Sequence, residues 1–142
     1  MDDLARTVAL LKAKDDIREL TARYCWFATR ADGEALADLF TDDCFVEIGP
    51  DNVVRGKTAI AELVSSAGRG SLVPVISNHV IEVAGDDATG TCVVQSRVSP
   101  RSPAGFVACY RDSYRNSDRG WRFVSRRYQL YVLDGQAVGS FD

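Results

Sequence analysis

The sequence predicts an α+β domain in which N-terminal helices pack on one face of a curved sheet, mainly antiparallel and in part mixed. Two observations carry this. Helical periodicity is confined to the first half of the chain, and the back half consists of long strand-like runs separated by short turns. Strands and helices do not alternate as a parallel βαβ sheet would require.

The first helix is the organising element. Leu10, Ala13, Ile17, Leu20, Tyr24 and Phe27/Ala28 recur in steps of three and four, which puts them on one face. Lys14, Asp15, Arg18, Glu19 and Arg23 occupy the opposite, wet face. Asp16 and Glu19 have the spacing of a capping box, so the helix starts or restarts there. Asp32-Gly33 breaks the pattern, and Asp32 is placed to cap a second helix through Leu36, Leu39 and Phe40. Residues 44–48 alternate as a short strand, with 53–55 as its partner. A third helix begins at Gly56-Lys57-Thr58, buries Ile60, Leu63 and Val64, and stops before Gly68.

Four strands follow, over residues 72–84, 88–98, 105–115 and 121–133. The 99–103 loop SPRSP cannot continue a ladder, and the 116–120 turn NSDRG reverses the chain. Short turns between successive strands imply an antiparallel meander. Residues 134–142 read as a loose tail, and nothing divides residues 1–142 into more than one domain.

Composition narrows function by exclusion. A net charge of -3 with interspersed signs gives no footprint for nucleic acid. No apolar run approaches the ~20 residues that span a bilayer, and the acidic N-terminus is unlike a secretory leader. The expected location is therefore the cytoplasm. Cys25, Cys44, Cys92 and Cys109 form no C-x-x-C pair, and His79 has no cysteine or second histidine nearby in sequence. Neither a metal nor a cofactor is expected, and the cysteines read as small buried apolar residues.

Period two assigns the sheet faces. Trp121, Phe123, Ser125, Arg127, Gln129 and Tyr131 share one side of the last strand; Phe106, Ala108, Tyr110, Asp112 and Tyr114 share one side of the strand before it. Aromatic and polar groups mixed in this way suit a face that is part core and part pocket. On the other face Val107, Cys109, Val124, Tyr128 and Leu130 predict burial against another subunit, in a homodimer or homotrimer.

These residues resemble a known family. Ile17 to Leu20 with Tyr24, ALADLFTDD at 35–43, RGKTAI at 55–60, SNHVIEV at 77–83, YRDSY at 110–114 and GWRF at 120–123 followed by Arg126-Arg127 are similar to the SnoaL-like domains of the NTF2-like superfamily. The resemblance covers roughly residues 10–131 and implies a conical half-barrel whose first helix closes an apolar pocket. It also implies a functional menu: dehydratases, dehydrochlorinases, isomerases, polyketide cyclases and β subunits of ring-hydroxylating dioxygenases. Fold does not choose among them.

The resemblance implies an Asp–His dyad, the Asp five residues after the pocket tyrosine and the His four residues before an Asn. Counted from Tyr24 and Asn78, those positions hold Thr29 and Pro74, and neither side chain can do the work. His79 lies at an odd offset from position 74, so simple alternation turns it to the opposite face unless a bulge intervenes. The remaining chemical residues are Tyr24, Asp112 and Arg127, with Thr29, Phe106, Tyr110, Phe123 and Asn78 as further pocket lining. Asp112 with Arg127 reads as a structural ion pair, as a general base with its tuning cation, or as a surface-exposed carboxylate. By resemblance an arginine of the last strand assists some relatives; Arg126 and Arg127 both qualify. The expected ligand is a hydrophobic cyclic or polyketide-like compound, handled by a lyase, isomerase or cyclase without cofactor, or held by a non-catalytic binding or scaffold protein.

Overall fold

The computed structural model describes residues 2–98 and 105–139. The expected 99–103 loop and the last three residues of the expected tail lie outside them.

Helix α1 runs Asp3–Arg30, and Asp2 caps it by accepting a hydrogen bond from the Ala5 N–H. The helix therefore starts well before the Asp16–Glu19 pair, which sits within it. Its first turns project beyond the body, leaving Leu4, Val8 and Leu11 exposed, and burial begins at Ile17. Helix α2 (Gly33–Ala37) is capped by Asp32, as its sequence predicts, but stops before Leu39 and Phe40. Phe40 already belongs to strand β1 (Phe40–Gly49). Gly33 is dictated by packing: a Cβ there would lie 2.0 Å from the Ala61 carbonyl oxygen of helix α3 (Lys57–Ala67).

Strand β1 pairs with β2 (Asn52–Arg55) on one side and runs parallel to β6 (Gly120–Leu133) on the other. The long strands β3 (Leu72–Ala84), β4 (Asp87–Val98), β5 (Phe106–Ser117) and β6 form the expected meander. The spatial order is β2-β1-β6-β5-β4-β3, so β3 is an edge strand and the sheet is mixed. Pro74 is tolerated on that edge, where one side of the strand needs no ladder partner. Part of the expected loose tail is paired: strand β7 (Gln136–Ala137) lies against the end of β6.

Helix α1 lies across the inner face, and the core sits between them. Ile17, Leu20, Tyr24 and Ala28 of the helix meet Phe40, Ile81, Cys92, Val94, Ala108, Tyr110, Tyr114 and Phe123 of the sheet. Cys44, Cys92 and Cys109 are buried and Cys25 half-buried, all four as free thiols.

Two bulges determine what reaches that core. In β3 the register shifts between Ser77 and Val80, and Asn78 takes a left-handed conformation with φ 54°. Asn is among the few residues that adopt it at modest cost. In β6 the partners of Ser113 and Tyr114 are Ser125 and Phe123, so Val124 is the extra residue. Beyond each bulge the alternation of faces is reversed.

Candidate functional site

At the centre of the inner face stands a wholly buried ion pair. Arg126 donates from Nε to Asp112 Oδ1 and from Nη2 to Asp112 Oδ2, both at 2.8 Å, and neither side chain is exposed. The guanidinium lies 3.8 Å from the ring centre of Tyr110, 4.3 Å from that of Tyr24 and 4.5 Å from that of Phe123. Burial works against its charge, but the adjoining Asp112 carboxylate outweighs that and holds the arginine well above its ordinary pKa. Its third nitrogen, Nη1, is buried with no hydrogen-bond partner.

Arg127 is not in this site. The bulge at Val124 turns Arg126 inward and Arg127 outward, where it pairs with Glu47 at 3.2 Å and covers the Phe45 ring. Ser125 likewise bonds Ser113 rather than facing the core with Phe123. The same reversal brings Tyr128 inward: Tyr110 donates to its hydroxyl at 3.2 Å, and the Tyr24 hydroxyl lies 3.3 Å from it. Tyr128 therefore leaves the proposed subunit face. Burial raises the pKa of all three tyrosines well above the ordinary value, so they stay neutral hydroxyls.

The β3 bulge has the complementary effect on the one histidine. His79 points inward and is half-buried, with Nε2 3.2 Å from the Tyr114 hydroxyl. Tyr114 in turn donates to Asp112 Oδ2 at 2.8 Å. A continuous chain thus runs from His79 through Tyr114 and Asp112 to Arg126. Burial pulls the His79 pKa below its usual value, with Arg126 and Arg18 adding to the pull and Asp112 opposing it.

Tyr24, Tyr110, Phe123 and Asp112 come together as the sequence predicts, while Phe106 packs half-buried against the same core. Thr29 is half-buried near the end of α1, its hydroxyl donating to the Cys25 carbonyl. Asn78 is exposed in the bulge and lines nothing in the interior. The site residues missed by simple alternation are His79, Arg126 and Tyr128. An asparagine directly before the histidine was a signal for the first; nothing in Val124-Ser125 marks the second bulge.

One group of potential metal ligands occurs among the described residues: His79, Cys92 and Asp112 bring ligating atoms within 4.8 Å of one another. The chemistry opposes a cation there. Asp112 is already engaged by Arg126 and Tyr114, the guanidinium repels positive charge, and burial pushes the Cys92 thiol up to about 12. Five surface clefts have volumes of 330 to 610 Å³, and none of them is lined by Tyr24, Tyr110, His79 or Arg126.

Residues 9–127 match a family model described as a SnoaL-like domain. No protein of curated function shows a significant match. Among solved structures, an NTF2-like protein with a cystatin-like fold from Novosphingobium aromaticivorans is 31% identical, with a TM-score of 0.79 over 96% of this chain and 94% of that one. A protein of unknown function from Mycobacterium tuberculosis is 29% identical, with a TM-score of 0.73 over 89% and 83%. A second N. aromaticivorans protein, provisionally named a scytalone dehydratase, is 24% identical with a TM-score of 0.82 over 94% of each chain; that likeness shows the fold alone.

Proposed function

This chain belongs to the SnoaL-like domain family, and on that premise we propose that it is a cofactor-independent acid–base enzyme of the lyase, isomerase or cyclase kind. Its substrate is a hydrophobic cyclic or polyketide-like compound. The observation that carries this is the histidine turned inward by the Asn78 bulge and tied through Tyr114 to the Asp112–Arg126 pair.

Each group then has a distinct part. His79, kept neutral by burial, takes or gives the proton. Arg126 Nη1, the guanidinium nitrogen left without a partner, and the Tyr24 hydroxyl stabilise the oxygen on which charge develops. Asp112 does not act as the base, because Arg126 and Tyr114 already occupy its oxygens; it holds the others in place. The aromatic walls select an apolar ligand.

The burial of Tyr24, Tyr110, Phe123 and Arg126 from solvent favours a second reading, a non-catalytic protein that holds a ligand or supports a partner subunit. One experiment separates the two. The purified protein is denatured, the released small molecules are identified by mass spectrometry, and the principal compound is returned to the protein in D2O. The enzyme reading expects turnover or deuterium uptake, reduced about 100-fold or more in His79→Gln. A compound released intact and exchanged at the solvent rate by both proteins would leave only the binding reading.

Self-association belongs to the same proposal. The outer sheet face exposes Val75 at 63% and Val80 at 61%, with Val107 in register beyond Gln95. Such a patch is suited to burial against a second copy, as a homodimer or homotrimer. No helix among the described residues is long and apolar enough to cross a membrane; a cytoplasmic location is part of the proposal.

A further inference from the structure

We infer that Tyr114 is the positioning residue of this site: it passes the charge of Asp112 to His79, fixes the imidazole as its Nε2–H tautomer, and leaves Nδ1 as the basic nitrogen. The inference rests on the acid–base reading above and specifies which atom carries it out.

The argument is one of hydrogen counting. A tyrosine hydroxyl has one hydrogen to give. Tyr114 gives it to Asp112 Oδ2 at 2.8 Å, an ionised acceptor that makes the stronger, charge-assisted bond. The same oxygen lies 3.2 Å from His79 Nε2 and has only lone pairs left to offer. The imidazole must therefore donate from Nε2. A neutral imidazole has one N–H, so Nδ1 carries the lone pair. The opposite tautomer would set two lone pairs against each other, or would divert the tyrosine hydrogen from a carboxylate to a neutral nitrogen. Either is the poorer arrangement in a site shielded from water. An aspartate thus orients a histidine here as in a direct dyad, with one hydroxyl between them.

Gly90 makes the linkage possible. It stands opposite Asp112 in the ladder, and a Cβ there would lie 2.9 Å from the Tyr114 hydroxyl, 3.0 Å from its ring and 3.3 Å from His79 Nε2. Gly90 is absent from the positive-φ glycines, so its backbone conformation does not call for glycine. The space does. Cys92 Sγ lies within 4.8 Å of the ligating atoms of His79 and Asp112. The charged groups acting on His79 are Asp112, Arg126 and, from α1, Arg18.

Because the chain has a single histidine, its nitrogen signals need no assignment. Protein labelled with ¹⁵N-histidine is studied at pH 7.5 by long-range ¹H–¹⁵N correlation, in the wild type, Tyr114→Phe and Gly90→Ala. The expected result is a neutral Nε2–H imidazole in the wild type and a mixture of tautomers in both variants. On a turned-over ligand, Tyr114→Phe lowers kcat by about 10-fold or more with KM little changed. An Nδ1–H or charged wild-type imidazole overturns the inference, as does an unchanged tautomer in Tyr114→Phe. Should neither variant fold, the wild-type tautomer alone still decides. A wild type with the expected tautomer but no proton transfer to its released ligand supports the linkage and defeats only the enzyme reading.

Discussion

Removing the charge of Asp112 while keeping its shape tests the centre of the molecule. In Asp112→Asn the amide nitrogen must face either the Arg126 fork or the Tyr114 hydroxyl, both of which are donors. Arg126 becomes a fully buried cation without a counterion, and arginine cannot escape by losing its proton. Breaking such a pair costs about 3–5 kcal/mol. The three rings within 4.5 Å face the cation in both proteins, so their attraction cancels from the difference. With an unfolding entropy of about 2.1 cal/mol/K per residue over 142 residues, that corresponds to a Tm lowered by roughly 10–17 °C. Arg126→Met, which strands the carboxylate instead, costs a similar amount. The double variant Asp112→Leu/Arg126→Met buries no charge and deprives only the Tyr114 O–H of its carboxylate acceptor, at about 1–3 kcal/mol. Urea unfolding followed by far-UV circular dichroism, at constant m, gives all three values. Losses that simply add in the double variant would refute a coupled buried pair, as would an Asp112→Asn protein melting within about 2 °C of the wild type.

The other predictions address residues around that centre. Arg127→Ala removes an exposed partner of Glu47 and a cover over the Phe45 ring and changes stability by about 1 kcal/mol or less in the same urea assay, against several for Arg126→Met. Stability depends on pH through His79: its folded pKa is depressed by burial, so the unfolded chain binds the proton first. The stabilisation is present above the unfolded value of about 6.5 and is lost as pH falls through the folded pKa. Wild-type unfolding free energy is accordingly lower at pH 5.5 than at 7.5, and the difference shrinks in His79→Asn; an opposite slope contradicts the buried placement. Val75→Asp with Val80→Asp places charge on the outer sheet face and converts the proposed oligomer to monomer by light scattering at micromolar concentration, while an unchanged oligomeric mass assigns association to another surface.

Much of this molecule was legible in the sequence because long elements average over many residues. The amphipathic period of α1, the Asp32 cap and the four long strands each rest on many side chains or on local turn chemistry, and the fold class, family and strand order of the meander followed. Side-chain direction in the site rests on parity, and parity fails at a single inserted residue. The Val124 bulge exchanged Arg126 for Arg127, admitted Tyr128 and expelled Ser125. Its cause is tertiary: Asp112 opposite and the rings of Tyr24 and Tyr110 select whichever arginine can reach them. At Asn78 a local signal did exist, because asparagine takes the left-handed conformation readily, and the only histidine follows it.

The two bulges act on the same chemistry. Without the one in β3, His79 would face outward, and Tyr114 would have Asp112 but no imidazole. Without the one in β6, Asp112 would face an aliphatic or serine position instead of a guanidinium, as a buried charge uncompensated. Thr29 and Pro74 stand where the resemblance places the direct dyad, and both are absorbed into structure: Thr29 bonds its own helix and Pro74 is buried opposite Ser96. Acid–base capacity in the interior therefore depends wholly on the reversed segments. Inserting one alanine after Ser125 is the most severe test of this dependence. It reverses the alternation beyond the bulge, sets the alanine opposite Asp112 in place of Arg126, turns Arg126 outward, and moves Tyr128 out of reach of Tyr24. If a folded protein with wild-type His79 tautomer and wild-type stability results, the bulges are incidental to the site. The expected product is a protein destabilised by the several kcal/mol of the lost pair, with its histidine free to adopt either tautomer.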